Sequence, residues 1–323
     1  MGVYHLMGLG RSAGTVIGPL TYLAHRYERW NADDRRFFAR SGEARQRQAG
    51  VKVGDVQALV LFTTPEVLSG QVAAIGYVDN QRGEIAKGPA KDGGRMKEIL
   101  RDLLCREWPA ISGGRTVGTI FWCEVDRRDI RTTYERVIQV VAALAGVGGQ
   151  GKEMWANLTG GNNVINAALE LAAILSGDVA RIYYVQAENP EAEKCVRYTA
   201  ENGYWVELPV MPLALGRLSQ AIINLLANQG ALDLKNLYSL LKNDYWDLSR
   251  GLTSEEVLRE EYLSPIWKQG LIAETPDGYV VGPQWEVIQP YQEVLKKALE
   301  NPVPIEQLAK QQPWLEKEKL PLT

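Results

Sequence analysis

Along the first two-thirds of the chain, short apolar runs alternate with helix-length amphipathic segments, and this alternation restricts the fold more than any other feature. Strands are expected at residues 3–7, 57–62, 72–78, 117–125, 154–158 and 179–185. Between them, apolar residues recur at helical spacing over residues 15–30, 95–108, 130–145 and 163–175, as Val16, Leu20, Leu23 and Tyr27 do. Parallel neighbours in a sheet need a crossover of a dozen or more residues, and a helix of this length supplies it. The expected class is therefore α/β, with a largely parallel sheet. There is no internal repeat and no low-complexity tract.

The pattern changes after Pro209 and Pro212. Helices are expected at residues 217–228, 234–242 and 254–269. Leu271-Ile272, a turn at Pro276-Asp277-Gly278 and Tyr279-Val280-Val281 then read as a two-stranded hairpin. Three short helices and a hairpin make a winged helix-turn-helix. The division expected is a ligand-binding domain over 1–213, a winged helix over 214–285, and a C-terminal region over 286–323. That last region reads as a helix near 291–299 and a Pro-rich charged tail at the periphery.

Composition and motifs exclude several chemistries. A 46% hydrophobic and 23% charged chain of 323 residues is a globular one, with no apolar run near the roughly 18 residues that span a bilayer. The first residues lack the basic and apolar regions of a signal peptide, so a cytoplasmic protein is expected. Cys105, Cys123 and Cys195 lie far apart with no CxxC spacing, which points away from zinc and from disulfides. His5 and His25 have no metal-ligand spacing, and His5 is expected in the core of the first strand. No metal and no cofactor is expected. The GxxxxGK[ST] motif is absent, as is Arg-x4-His. Glu84-Ile-Ala-Lys87 is too loosely spaced for a restriction-type nuclease. The pairs Asp33-Asp34 and Glu255-Glu256 are expected at the solvated surface.

Two glycine-rich stretches carry what chemistry the sequence offers. Gly8-Leu-Gly-Arg-Ser-Ala-Gly14 and Leu158-Thr-Gly-Gly-Asn-Asn163 each follow an expected strand and open an expected helix. There the first backbone N–H groups lack partners and the helix dipole favours an anion. Gly8, Gly10 and Gly14 permit close backbone approach, while Ser12 and Thr15 offer hydroxyls. Gly160 and Gly161 act likewise, beside Thr159, Asn162 and Asn163. Either stretch alone is equally a structural turn and cap. Two of them at the carboxyl ends of strands in one sheet favour a ligand. A dinucleotide fingerprint would need a second buried strand soon after the first helix. That place holds the polar NADDRRFFARSGEARQRQ.

These two motifs resemble those of the CARF domain, the CRISPR-associated Rossmann fold, over roughly residues 1–213, and the Thr-Gly-Gly turn is the more specific of the two. A CARF domain followed by a winged helix is an arrangement of type III CRISPR accessory proteins. The resemblance implies a Rossmann-like sheet and a homodimer that binds a cyclic tetra- or hexa-adenylate across its two-fold axis. Gly10, Arg11, Ser12 and Ala13 would line one wall, with Gly8, Gly14 and Thr15 beside them. Thr159, Gly160, Gly161, Asn162 and Asn163 would form the other. Family members that cleave the ring often carry a lysine directly after the Gly-Gly turn, where this chain has Asn162-Asn163. Ser12, Arg11, Asn162 and Asn163 are the candidates for slow, metal-independent cleavage, although asparagine does not replace an ammonium charge.

Alternative readings stay open. One is a ligand-controlled DNA-binding regulator, and another a non-enzymatic sensor or adaptor. Charge disfavours DNA, because six Lys/Arg face nine Asp/Glu over residues 216–285. Residues 26–52, with eight Lys/Arg against four Asp/Glu, are the better candidate for touching a polyanion, or else a solvated helix extension or a mobile flap.

Overall fold

The computed structural model describes residues 2–39, 56–79, 84–86, 95–112, 117–146, 152–209 and 216–321. In chain order the first elements are β1 (Val3–Gly8), α1 (Gly14–Arg29), α2 (Ala32–Ala39), β2 (Val56–Thr63), α3 (Pro65–Ser69), β3 (Tyr77–Asp79), β4 (Glu84–Ala86) and α4 (Met96–Ile111). Then come β5 (Val117–Glu124), α5 (Ile130–Ala145), β6 (Glu153–Asn157), α6 (Asn163–Ser176), β7 (Arg181–Ala187), α7 (Pro190–Lys194) and β8 (Gly203–Leu208). After these follow α8 (Arg217–Gln229), α9 (Leu234–Asp244), α10 (Glu255–Val257), a π-helical turn (Leu258–Leu263) and α11 (Ser264–Lys268). The chain ends with β9 (Ile272–Thr275), β10 (Gly278–Val281), α12 (Pro283–Glu300), α13 (Ile305–Gln311) and β11 (Leu315–Pro321). Contacts gather the chain into two units, Met1–Pro212 with Lys297–Thr323, and Leu213–Lys296.

The first unit is built on a seven-stranded sheet of order β11-β5-β2-β1-β6-β7-β8. Its five central strands are parallel, while β11 and β8 join antiparallel at the two edges. β1 is buried along its whole length, as a strand covered on both faces must be. From β1 the chain builds outward through β2 to β5, then crosses through α5 to β6 on the other side of β1. Right-handed crossovers therefore place α1 and α4 on one face and α5 and α6 on the other. On the α1 and α4 face, Val16, Ile17, Leu20, Leu100, Leu103 and Trp108 close over Leu59, Leu61 and Trp122. Each such side chain contributes roughly 1.5–3 kcal/mol through its removal from water.

The structure departs from the sequence reading at several places. Of the expected strand 72–78, just Tyr77–Asp79 pairs, with β4, in a small separate hairpin. Val72 and Ile75 give their N–H groups to Glu66 and Arg11 carbonyls instead of to a sheet. The charged tail is not peripheral. Its Leu-Glu-Lys-Glu-Lys-Leu-Pro run is β11, with Leu315 and Leu320 buried and the charges guarding the sheet edge. Trp122 Nε1 donates to Glu318 Oε2 at 2.7 Å, and Lys97 pairs with Glu316 at 2.7 Å. β8 is a further strand beyond those expected.

Asp34 is not solvated but fully buried, paired with Arg26 at 3.1 Å and Arg29 at 2.8 Å. Those two arginines are thereby engaged within the fold rather than free for a polyanion, and residues 40–52 of the basic stretch lie outside the described residues. So does Lys87.

The second unit holds α8 and α9, a third helical stretch and the antiparallel pair β9–β10, with an isolated bridge from Leu232 to Tyr279. The stretch expected as one helix over 254–269 is broken by the π-helical turn at Leu258–Leu263. Pro265 explains this, since it lacks the N–H that would bond Glu261 and its ring crowds that carbonyl. Glu255, Glu256, Glu260 and Glu261 are exposed.

His5 lies in the core as expected, with its Nδ1 2.9 Å from the Tyr183 hydroxyl. Burial pushes its pKa from 6.5 down to about 3. The folded protein thus keeps the ring neutral where the unfolded chain protonates it. This contribution is full above pH 6.5 and is lost as pH falls from there towards 3. Urea unfolding across that window should show stability falling by about 1.4 kcal/mol per pH unit from this group, and His5→Gln should flatten the slope by that amount. Identical slopes for the two proteins would contradict it.

Candidate functional site

Met7 and Asn157 pair at the adjacent carboxyl ends of β1 and β6, so the two glycine turns emerge side by side. This is where the direction of strand addition reverses, the place at which open α/β sheets leave a crevice. The turns touch through their backbones. A Cβ on Gly8 would stand 2.7 Å from Gly160 O and 3.0 Å from Gly161 Cα. One on Gly160 would meet Gly8 O at 2.5 Å and also strike Thr15 Oγ1, and Gly161 has φ +85°. Contact between the turns therefore demands glycine at 8, 160 and 161 before any ligand is considered. Gly14 is similarly close to Cys195 O, at 3.2 Å. Gly10 differs, since a Cβ there would have nothing nearer than 3.9 Å.

The polar side chains divide in the same manner. Thr15 Oγ1 donates to Ser12 O at 2.8 Å. Asn157 Oδ1 accepts from Thr159 N–H at 2.7 Å, and Thr159 Oγ1 accepts from Val185 N–H at 2.8 Å. Asn162 Oδ1 accepts from Ile165 N–H at 2.9 Å and so caps α6. These four residues shape the turns. Arg11 is exposed, its Nε donating to Ala73 O at 3.0 Å and its carbonyl accepting from Ile75 N–H at 2.7 Å. The Ser12 hydroxyl and the Asn163 amide have no partner among the described residues. Ala13 is buried and stands at the start of α1 with no side-chain cap. The opening N–H groups of α1 at Gly14 and Thr15 are therefore left for another acceptor, whereas those of α6 are partly taken.

Asn166, one helical turn beyond Asn162, is a site residue that the sequence reading passed over. Its Nδ2 donates to Leu158 O at 3.2 Å, and its buried Oδ1 has no partner among the described residues. That oxygen faces the junction of the turns, 3.0 Å and 3.2 Å from the Cβ positions of Gly8 and Gly161. A polar residue among Val164, Ile165 and Ala167 was the available signal. The segment of Ala73 and Ile75 was also missed, having been read as part of a strand.

The turns supply donors: the N–H groups of Gly14 and Thr15, the Ser12 hydroxyl, the Asn163 amide and the Arg11 guanidinium. They contain no carboxylate or imidazole to serve as a general base. Among the described residues no group of three or more His, Cys, Asp or Glu could hold a metal ion. No helix among them is long and apolar enough to cross a membrane. The arrangement is suited to an anion.

No family model matches the chain. It is similar to an uncharacterized protein of Archaeoglobus fulgidus, 25% identical over 259 residues that cover 75% of this chain and 79% of that protein. Among solved structures it is similar to Enterococcus italicus Csm6 bound to cyclic hexa-2′-fluoro-hexa-dAMP, with a TM-score of 0.37 and 11% identity. That match covers 82% of this chain and 53% of the other, so the chain spans about half the length of that protein. A likeness at this level carries no argument about ligand or activity. The class defined by the first unit itself is an α/β protein with a mainly parallel seven-stranded sheet.

The glycine contacts give a direct expectation. Gly160→Ala should cost more than about 2 kcal/mol in urea unfolding, because backbone atoms on both turns must yield. Gly10→Ala should stay within about 0.5 kcal/mol. Equal costs would contradict the contact between the turns.

Proposed function

We propose that the first unit is a CARF-like domain that binds a cyclic oligoadenylate in a homodimer, as part of a type III CRISPR defence. The observation that carries this reading is the position of the two turns. They are locked together where the direction of strand addition reverses, with Gly10 open and the start of α1 uncapped. A ligand phosphate would take the Gly14 and Thr15 N–H groups, with Arg11 as the neighbouring cation and the Ser12 hydroxyl orienting the reacting ribose. A ring of identical nucleotides matches a two-fold site to which each protomer brings both turns. The second unit is read as a winged helix, supported by its helices, the β9–β10 hairpin and the Leu232–Tyr279 bridge. Its exposed glutamates disfavour a role on DNA.

Cleavage of the ring is the finer part of the proposal. It requires a ribose 2′-hydroxyl held in line with its phosphate and donors for the charge that develops there. Arg11, Ser12, Asn162 Nδ2 and Asn163 supply donors and no general base, so the reaction is slow and depends on orientation. Purified protein with labelled cyclic tetra- and hexa-adenylate in EDTA tests both parts, with binding and chromatographed products followed together. One ring should bind and give linear products ending in a cyclic phosphate. Ser12→Ala should slow product formation by about tenfold or more while leaving affinity nearly unchanged. A bound but intact ring would leave a sensor, and no binding of either ring would overturn the reading.

A further inference from the structure

The carboxyl ends of β2 and β5 enclose a cavity of about 320 Å³ that the glycine turns do not use. It opens on the same edge of the sheet as the first turn. Leu9 N–H donates to Phe62 O and Val125 N–H to Thr63 O, both at 2.8 Å, so turn and cavity hang on the end of one strand. At about 4.8 Å per strand, β5 runs about 10 Å from β1, within the span of one nucleotide. The connection from α3 to β3 ties the two places together. Val72 N–H bonds Glu66 O at 3.0 Å, and Ile75 N–H bonds Arg11 O at 2.7 Å.

The lining mixes three kinds of surface. Pro65 and Val125 are apolar, Arg127 presents a half-exposed guanidinium plane, and Arg128 and Arg136 also line the cavity, Arg136 bonded to the Glu124 carbonyl. Three carboxylates stand around them, in different states of use. Asp126 Oδ1 accepts from Arg128 N–H at 2.8 Å within its own turn. Glu66 is 3.9 Å from Arg127, and the Thr64 hydroxyl holds its carboxyl below the usual range. Glu124 spends its backbone groups on Trp314 O and Arg136 Nη1, yet its carboxylate has no partner among the described residues. A part-buried carboxylate that no cation among the described residues pairs within 4.0 Å is costly unless a donor completes it. The donor that also suits an apolar slot and a guanidinium plane is the amino group of a flat heterocycle.

We propose that this cavity is a base subsite, in which the Glu124 carboxylate accepts from the exocyclic amine of a purine whose phosphate rests on the first glycine turn. The inference depends on the oligoadenylate reading for the class of ligand, and it adds the residue that selects the base. Arg127 stacks on the ring, and Pro65 and Val125 pack against its edge.

The test compares affinities for the cyclic adenylate ring and for the same ring carrying hypoxanthine, which has a carbonyl in place of the amine. Wild-type protein should prefer the adenylate by about tenfold, the discrimination expected of a hydrogen bond to a charged group. In Glu124→Gln that preference should shrink to within about twofold, since the amide can serve either base. The ratio is the readout, because a merely structural change would lower both affinities together. Glu124→Asp, which keeps the charge, should retain a preference and covers the case in which Glu124→Gln does not fold. Equal affinities in the wild type, or the same preference in wild type and Glu124→Gln, would overturn the subsite and leave the oligoadenylate reading standing. Binding of neither ring by the wild type would overturn that reading and the subsite with it.

Discussion

Backbone contact between two glycine turns, one after β1 and one after β6, is the constraint on which the site depends. Gly8 lies so close to Gly160 and Gly161 that no side chain fits at any of the three positions. Strand pairing brings this about. Met7 and Asn157 are neighbours in the sheet, so the chains leaving them have no room to diverge. The turn geometry follows, with Gly161 in the left-handed region and Asn162 free to cap α6. Thr159 is fastened to the next strand through Val185. What stays open afterwards is small: Gly10, the Ser12 hydroxyl, the Arg11 guanidinium, the Asn163 amide and the first N–H groups of α1.

That inventory sets what the turns can do chemically. Backbone N–H groups and neutral donors hold an anion well at a helix start, and a fixed set of them favours a ligand of fixed shape. Acid–base work needs a titratable group with a suitable pKa, and the turns have none. The nearest imidazole in the sheet, His5, is buried in β1, and burial keeps it neutral. It serves the core with Tyr183 and Trp155 rather than the crevice. On the proposed reading binding is thus the first capacity of the turns, and turnover depends on how the ligand is held.

Much of the fold is legible in the sequence, and the gaps have physical causes. β1, β2, β5 and β6 are covered on both faces, so they read as unbroken apolar runs, and α5 and α6 carry a clear helical period. β11 is a strand written in Glu and Lys, which composition assigns to a tail, because an edge strand needs charge on its open side and just two leucines in the core. β8 has the same edge character, with Tyr204 exposed. The glycines of the turns were visible, but their division of labour was not. Gly8 and Gly160 meet across some 150 residues of sequence, so nothing local separates a glycine needed by the fold from Gly10, which is open. Asp34 likewise looks like a surface acid until α2 folds it beneath Arg26 and Arg29.

The most direct test of the central claim is hydrogen–deuterium exchange of the two turns with cyclic tetra- or hexa-adenylate added. If the ligand docks on the turns, amides over residues 10–15 should slow markedly, because the uncapped N–H groups of α1 gain an acceptor. Those over 158–163 should slow less, since the Leu158 and Thr159 N–H groups already have partners. Protection elsewhere, with both turns unchanged while the ring is bound, would contradict the account.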